Sequence, residues 1–88
     1  MLKLKLKEIL KREIKNHQLM VEYNLHNDGI LYYMLENNED VKKLIASFGI
    51  YVIENFTVCD SKIEIILYNV KYKDYTIVTI YKSEGDAE

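Results

Sequence analysis

A chain of 88 residues can form one domain around a single hydrophobic core, and its 49% apolar composition is close to the average for globular proteins. Its one cysteine, Cys59, excludes an internal disulfide, and no Cys and His residues stand at metal-binding spacing. No apolar run approaches the roughly 18 residues of a membrane span, and the N-terminus lacks the order of a signal peptide, so we expect a cytoplasmic protein.

The formal net charge of −2 is unevenly distributed along the chain. Residues 1–18 carry six basic and two acidic side chains, whereas residues 19–88 carry six basic and twelve acidic ones. Such a split is typical of a segment that contacts nucleic acid or a membrane, and equally of a solvated helix face. Lys, Ile, Asn and Tyr, whose codons are AT-rich, account for 37 residues. This composition predicts an AT-rich source genome, such as that of a low-GC bacterium or its phage.

The N-terminal segment fits two periodicities. Residues 2–7 alternate Leu and Lys like an exposed strand, but a helix over residues 2–17 explains the whole segment and uses residues of good helix propensity. On that helix one arc of about 140° is apolar: Leu2, Leu6, Ile9, Leu10 and Ile14. The opposite side is basic, with Leu4 among the lysines: Lys5, Lys7, Lys11, Arg12 and Lys15. We therefore predict a basic amphipathic helix with a frayed first turn.

Two β-rich runs, residues 18–25 and 30–36, flank the turn HNDG. Asn, Asp and Gly tolerate the left-handed backbone of such turns, so a β-hairpin is predicted. Pairing Leu25 with Ile30 gives one face as the core face: Leu19, Val21, Tyr23, Leu25, Ile30, Tyr32 and Met34.

The segment ENNEDVKKLIASFG predicts a second helix. Asn37 or Asn38 can cap its start, acidic residues follow in the first turn, and Gly49 can close it. A one-sided apolar stripe has helical spacing: Val41, Leu44, Ile45 and Phe48.

Three further strands are predicted, over residues 50–58, 62–70 and 75–82. The resulting order is α-β-β-α-β-β-β, an α+β fold in which two amphipathic helices pack on an antiparallel sheet of about five strands. Residues 1–82 are expected to form this single domain, and residues 83–88 a disordered acidic tail.

The last hairpin is apolar on both faces, where a half-solvated sheet would alternate apolar with polar residues. One face is aliphatic: Ile63, Ile65, Leu67, Val78 and Ile80. The other face is rich in tyrosine: Ile66, Tyr68, Val70, Tyr72, Tyr75, Ile77 and Tyr81. If the helices cover the aliphatic face, another element of the chain, a partner protein, a second copy or stacked nucleic-acid bases must cover the tyrosine face. Nucleic acid fits least, because the chain contains only one arginine, Arg12.

The sequence contains few residues that could support catalysis. His17 and His26 have no neighbour that makes a dyad. Asp60 beside Cys59 is a carboxylate and disfavours the thiolate, which is the form that a nucleophile needs. The three glycines stand alone, so there is no phosphate-binding loop.

We therefore predict a non-catalytic protein-interaction module without cofactor, metal, membrane contact or small-molecule substrate. Its partner-binding residues are predicted to be Ile66, Tyr68, Tyr72, Tyr75, Ile77 and Tyr81, and the partner a protein or a second copy in a homodimer. In size, composition and lack of catalytic residues the chain resembles phage or mobile-element inhibitors, anti-CRISPR proteins included. The alternative is a nucleic-acid-binding regulator that uses the basic face of the first helix.

Overall fold

The computed structural model describes residues 2–25 and 29–84. Within these residues the chain forms a single α+β domain, and the predicted order of elements is confirmed. The elements are α1 (Leu2–Glu13), β1 (His17–Leu25), β2 (Gly29–Leu35), α2 (Asn38–Ser47), β3 (Tyr51–Val58), β4 (Lys62–Asn69) and β5 (Asp74–Glu84).

The five strands form one antiparallel sheet in the order β2-β1-β5-β4-β3. The C-terminal strand β5 lies at its centre and pairs with β1 from His17–Glu84 to Tyr23–Val78. α2 follows β2 at one edge and precedes β3 at the other, so the chain crosses the sheet once between its two edges.

Both helices pack on the same face of the sheet, here called the helix face. Leu6 and Leu10 of α1 and Val41 and Leu44 of α2 belong to one buried cluster with alternate residues of the strands. The strand members of this cluster are Leu19, Val21, Tyr23, Leu35, Ile53, Ile63, Ile65, Leu67, Val78 and Ile80. The aliphatic face predicted for the last hairpin is therefore the core face.

The predicted register of the first hairpin is wrong by one residue. Leu25 pairs with Gly29, not with Ile30, and Gly29 adopts a φ of 90°, which glycine tolerates without strain. A shift of one residue exchanges the two faces of a strand. Of β2, the residues Leu31, Tyr33 and Leu35 consequently share the helix face with β1. Ile30, Tyr32 and Met34, predicted for the core, lie on the opposite face and are exposed.

The first helix is confirmed but ends at Glu13, four residues before the predicted end. After Ile14, the backbone N–H groups of Lys15 and Asn16 each donate a hydrogen bond to the carbonyl three residues earlier, and these bonds close the last turn. His17 then begins β1, because its backbone pairs with that of β5.

The second helix begins and ends as its sequence predicts. Asn37 is the N-cap, and its Oδ1 accepts the Asp40 N–H at 3.0 Å. Gly49 follows the helix with a φ of 56°. The predicted stripe faces the core, with Val41, Leu44 and Phe48 buried and Ile45 half-buried.

β5 extends to Glu84, two residues into the segment predicted as an acidic tail. The rest of that segment, residues 85–88, lies outside the described residues, as does the turn at residues 26–28.

Burial of Tyr23 predicts a stability change at high pH. Desolvation first, and then the neighbouring Tyr51 and Tyr33, raise the pKa of its hydroxyl from 10.0 to about 12. Because the folded-state pKa lies above the unfolded one, the stabilisation is complete below pH 10 and is lost as the pH rises from about 10 to about 12. The loss at high pH should be about 2–3 kcal/mol.

The Tyr23→Phe variant lacks this ionisation and is the matched control. Urea unfolding of both proteins from about pH 9 to about pH 12 should show the wild type losing its stability relative to the variant. A free-energy difference that stays constant with pH would contradict this prediction.

Candidate functional site: the outer face of the sheet

The face of the sheet opposite the helices, here called the outer face, collects the alternate residues that do not enter the core. β2 and β1 contribute Ile30, Tyr32, Met34, Met20 and Glu22, which pair across the hairpin or with β5. β5, β4 and β3 contribute Tyr75, Ile77, Thr79, Tyr81, Lys62, Glu64, Ile66, Tyr68, Val52, Asn55 and Thr57.

Cross-strand neighbours form a central polar row, with apolar residues in rows on both sides of it. The polar row consists of Tyr32, Glu22, Thr79, Glu64 and Thr57. On one side Met34, Met20 and Tyr81 are successive cross-strand neighbours. On the other side Ile77 pairs with Ile66, and Tyr75 pairs with Tyr68, which in turn pairs with Val52. Most of these side chains are large and exposed: Met20, Met34, Val52, Tyr75, Ile77 and Tyr81. An antiparallel face in contact with water alone would be polar at these positions.

Glu22 lies in the central polar row and links the two halves of the sheet. The Tyr32 hydroxyl donates to Glu22 Oε2 at 3.3 Å, and the Tyr81 hydroxyl donates to Glu22 Oε1 at 2.7 Å. The hydrogen bond to Glu22 is the main cause that raises the pKa of Tyr81 above its ordinary value. The carboxylate thus has two hydroxyl partners from the strands on either side of β1.

The second carboxylate of the outer face is also paired. Lys62 Nζ lies 3.3 Å from Glu64 Oε2, two residues along β4. Among the described residues of this face, Lys62 is the one cation and Glu22 and Glu64 are the two anions. The outer face is therefore nearly neutral and offers no basic track for phosphates.

Five of the six predicted partner-binding residues lie on the outer face, namely Ile66, Tyr68, Tyr75, Ile77 and Tyr81. The rings of Tyr68 and Tyr75 form a tilted pair with centroids 5.0 Å apart. Tyr72 lies beyond the strands, in the turn over residues 70–73, where Asn69 Oδ1 accepts its N–H at 2.9 Å. Its ring is exposed, and Lys71 Nζ lies 5.4 Å from the ring centroid.

Sequence reasoning missed the other half of the outer face. Met34 and Tyr32 belong to it because of the observed register of the first hairpin, and Met20 joins the tyrosine face through the pairing of β1 with β5. The signal that could have found them is the apolar character of both faces of β2, which leaves three large residues exposed whichever face enters the core.

The predicted basic face of α1 lies away from the core. Lys5, Arg12 and Lys15 are exposed, and Lys7 and Lys11 are half-buried. A groove of about 570 Å³ runs between α1 and β3, lined by Leu4, Lys5, Glu8, Ile9, Arg12 and Phe56. Glu8 and the apolar lining interrupt the positive charge along this groove.

Reactive groups are sparse in the described part of the chain. Cys59 is exposed and free, and residues 2–25 and 29–84 bring no three His, Cys, Asp or Glu side chains together as a metal site would. Neither of the two described helices has the length and apolar character to cross a membrane.

Comparison of the chain with models of known protein families, with curated proteins and with solved structures finds no match.

Proposed function

We propose that this chain is a small, non-catalytic protein-interaction module that places the outer face of its sheet on a partner protein. The observation that supports this most directly is the exposure of apolar rows on a sheet face that neither helix covers. Contiguous apolar surface of this kind on a folded domain is typical of protein-binding sites.

The size of the outer face suits such a role. Five strands at a spacing of about 4.8 Å, each about 25 Å long, give a surface of roughly 600 Å² before side-chain relief is counted. Specific interfaces bury about 800 Å² on each partner. A partner that covers most of the face would therefore form an interface of standard size.

The chemistry of the face also suits a protein partner. Tyr and Met are enriched in interface cores, where tyrosine gives a large contact area and its hydroxyl can keep a polar partner. Glu22 and Glu64 already have partners within the chain, so docking does not bury an unpaired carboxylate. Tyr75 and Ile77 are the central exposed anchors of the C-terminal half.

If the chain is a phage or mobile-element protein, as its resemblance to such inhibitors implies, the module would act as an inhibitor or regulator by occupying a surface that its partner needs. This mechanism requires shape and apolar contact and no reactive group.

A second candidate function is nucleic-acid binding through α1. It is favoured by the exposed cations Lys5 and Arg12 on α1 and Lys15 in the turn that follows it. Lysines that track a phosphate backbone position a protein without reading sequence, and their binding weakens steeply with salt.

The double variant Tyr68→Glu/Tyr75→Glu is expected to abolish partner binding while its circular dichroism spectrum stays that of the wild type. Two carboxylates in the tyrosine pair would have to lose their hydration on docking. Lys11→Glu/Lys15→Glu is the matched control with the same number of added carboxylates, and it should change neither binding nor stability appreciably.

The measurement begins with proteins retained by the immobilised wild type, which are identified, purified and titrated calorimetrically with each variant. Apolar docking predicts a negative heat-capacity change and weak salt dependence. Loss of binding only in the lysine variant, with a steep salt dependence, would favour the nucleic-acid function. Unfolding of the tyrosine variant would show that these rings are part of the core and would refute the proposed site.

A further inference from the structure

The two edge strands of the sheet, β3 and β2, differ in how well they are protected from pairing with another chain. β3, at one edge, is interrupted by a register shift between Ile53 and Asn55 and carries Glu54 at that point. Asn55 Oδ1 accepts the N–H of Phe56 at 2.8 Å, so the strand satisfies part of its own backbone. Bulges and charges are the devices that keep an edge strand from pairing with another chain.

β2, at the other edge, has none of these devices. Its sequence GILYYML contains no charge and no proline, and it pairs with β1 in unbroken register. Six of its seven residues are exposed. Because β1 occupies only one side of β2, the N–H and C=O groups of alternate β2 residues point away from the sheet, where another strand can pair with them.

We propose that β2 pairs antiparallel with β2 of a second copy of this chain, so that two sheets join into one. Both faces of the strand are apolar, with Tyr32 on the outer face and Leu31 on the helix face. Self-pairing therefore sets apolar or aromatic side chains opposite one another on both faces, and such cross-strand pairs are stabilising. No side chain of the strand brings a like charge to the two-fold axis.

The protected edge strand, β3, explains why the assembly would stop at two copies. A two-fold contact uses the same strand of both copies and closes on itself. The joined sheet then ends in β3 on both sides, and its bulge with Glu54 opposes further addition.

The contact area predicts a reversible dimer. Seven paired residues cover about 24 Å of edge in a sheet about 10 Å thick, which with side chains buries roughly 800–1,000 Å² in total. This lies below the roughly 1,200 Å² of stable specific interfaces and in the range of weak, transient ones, so dissociation should be measurable at ordinary protein concentrations. The inference does not depend on the proposed function, because edge pairing leaves both outer faces open.

Leu31→Lys tests the pairing, and Val58→Lys is its matched control. Both residues are aliphatic, lie on edge strands, point to the helix side of the sheet and are similarly exposed, at 49% and 44%. Sedimentation equilibrium should show a monomer–dimer equilibrium for the wild type and the Val58 variant. Leu31→Lys should weaken the dimer roughly tenfold or more, because lysine ammonium groups would approach across the axis. Reducing conditions are needed, since Cys59 is free and exposed.

Amide hydrogen exchange followed by NMR identifies the edge that pairs. Alternate β2 amides should gain protection as the protein concentration rises, whereas β3 amides should not. A monomer at concentrations up to about 1 mM would overturn the inference. A dimer that Tyr68→Glu/Tyr75→Glu disrupts and Leu31→Lys does not would also overturn the inference, and would instead support the outer face as the dimer contact. A β2 edge that pairs only with a strand of another protein would overturn it as well.

Discussion

Replacing Phe48 with alanine should destabilise the domain by about 3–5 kcal/mol, the range for truncating a buried aromatic ring. Phe48 is 1% exposed and lies at the C-cap of α2, where its ring contacts that of Tyr23 with centroids 6.2 Å apart. A domain of this size has a total stability of about 5–15 kcal/mol. The variant should therefore be largely unfolded at moderate temperature or in low concentrations of urea.

The size of the effect follows from what the ring joins. Phe48 is the last residue of the apolar stripe of α2 and the point where the crossing helix meets β1. Its removal leaves a cavity next to Tyr23, which is held by pairing with β2 and β5 and cannot move in to fill it.

Ile50→Ala is the control for this prediction. Ile50 lies two residues later and is 57% exposed, so its truncation should change the free energy of unfolding by no more than about 0.5 kcal/mol. Urea unfolding followed by circular dichroism measures both variants. Equal stability losses would mean that Phe48 contributes no more than a surface residue, contrary to its burial.

Both helices could be predicted because each has a single apolar stripe, so helical spacing selects one face. The last hairpin could be predicted for a related reason: Ile63, Ile65 and Leu67 alternate with residues of which Glu64 is charged, and one face is the better core. The sequence order of elements then follows from these local patterns.

The register of β2 could not be predicted, because the pattern does not distinguish its faces. Leu31, Tyr33 and Leu35 are as apolar as Ile30, Tyr32 and Met34, and the choice is made by Gly29, which enters the strand at positive φ opposite Leu25. The order of the strands in the sheet also could not be predicted from the sequence, because β1 and β5 lie about 60 residues apart and no local pattern indicates that they pair. The N-terminal half of the outer face depends on both features, which is why only its C-terminal half was anticipated.

A partly buried charge pair at the end of α1 gives the second large effect. Lys82 of β5 is 7% exposed in its side chain, and its Nζ lies 3.8 Å from Oε1 of Glu13, which is 16% exposed. His17 Nδ1 lies 3.0 Å from the same oxygen. Glu13 Oε1 and His17 Nδ1 are buried, and neither has a hydrogen-bond partner among the described residues, so their close contact lacks hydrogen-bond geometry. Glu13 is thus the group that joins the end of the first helix to β1 and β5.

Glu13→Gln should cost about 1–3 kcal/mol, because it removes the carboxylate that faces both the Lys82 ammonium and the His17 ring at a partly buried position. Glu13→Gln/Lys82→Met removes both charges and replaces the lysine stem with an apolar chain, so it should recover most of that loss. Urea unfolding of the wild type, Glu13→Gln, Lys82→Met and the double variant gives the coupling energy between the two sites. A double variant as unstable as Glu13→Gln would mean that the ammonium finds other partners, and that the helix end is held to the sheet by Leu10 and Ile14 packing alone.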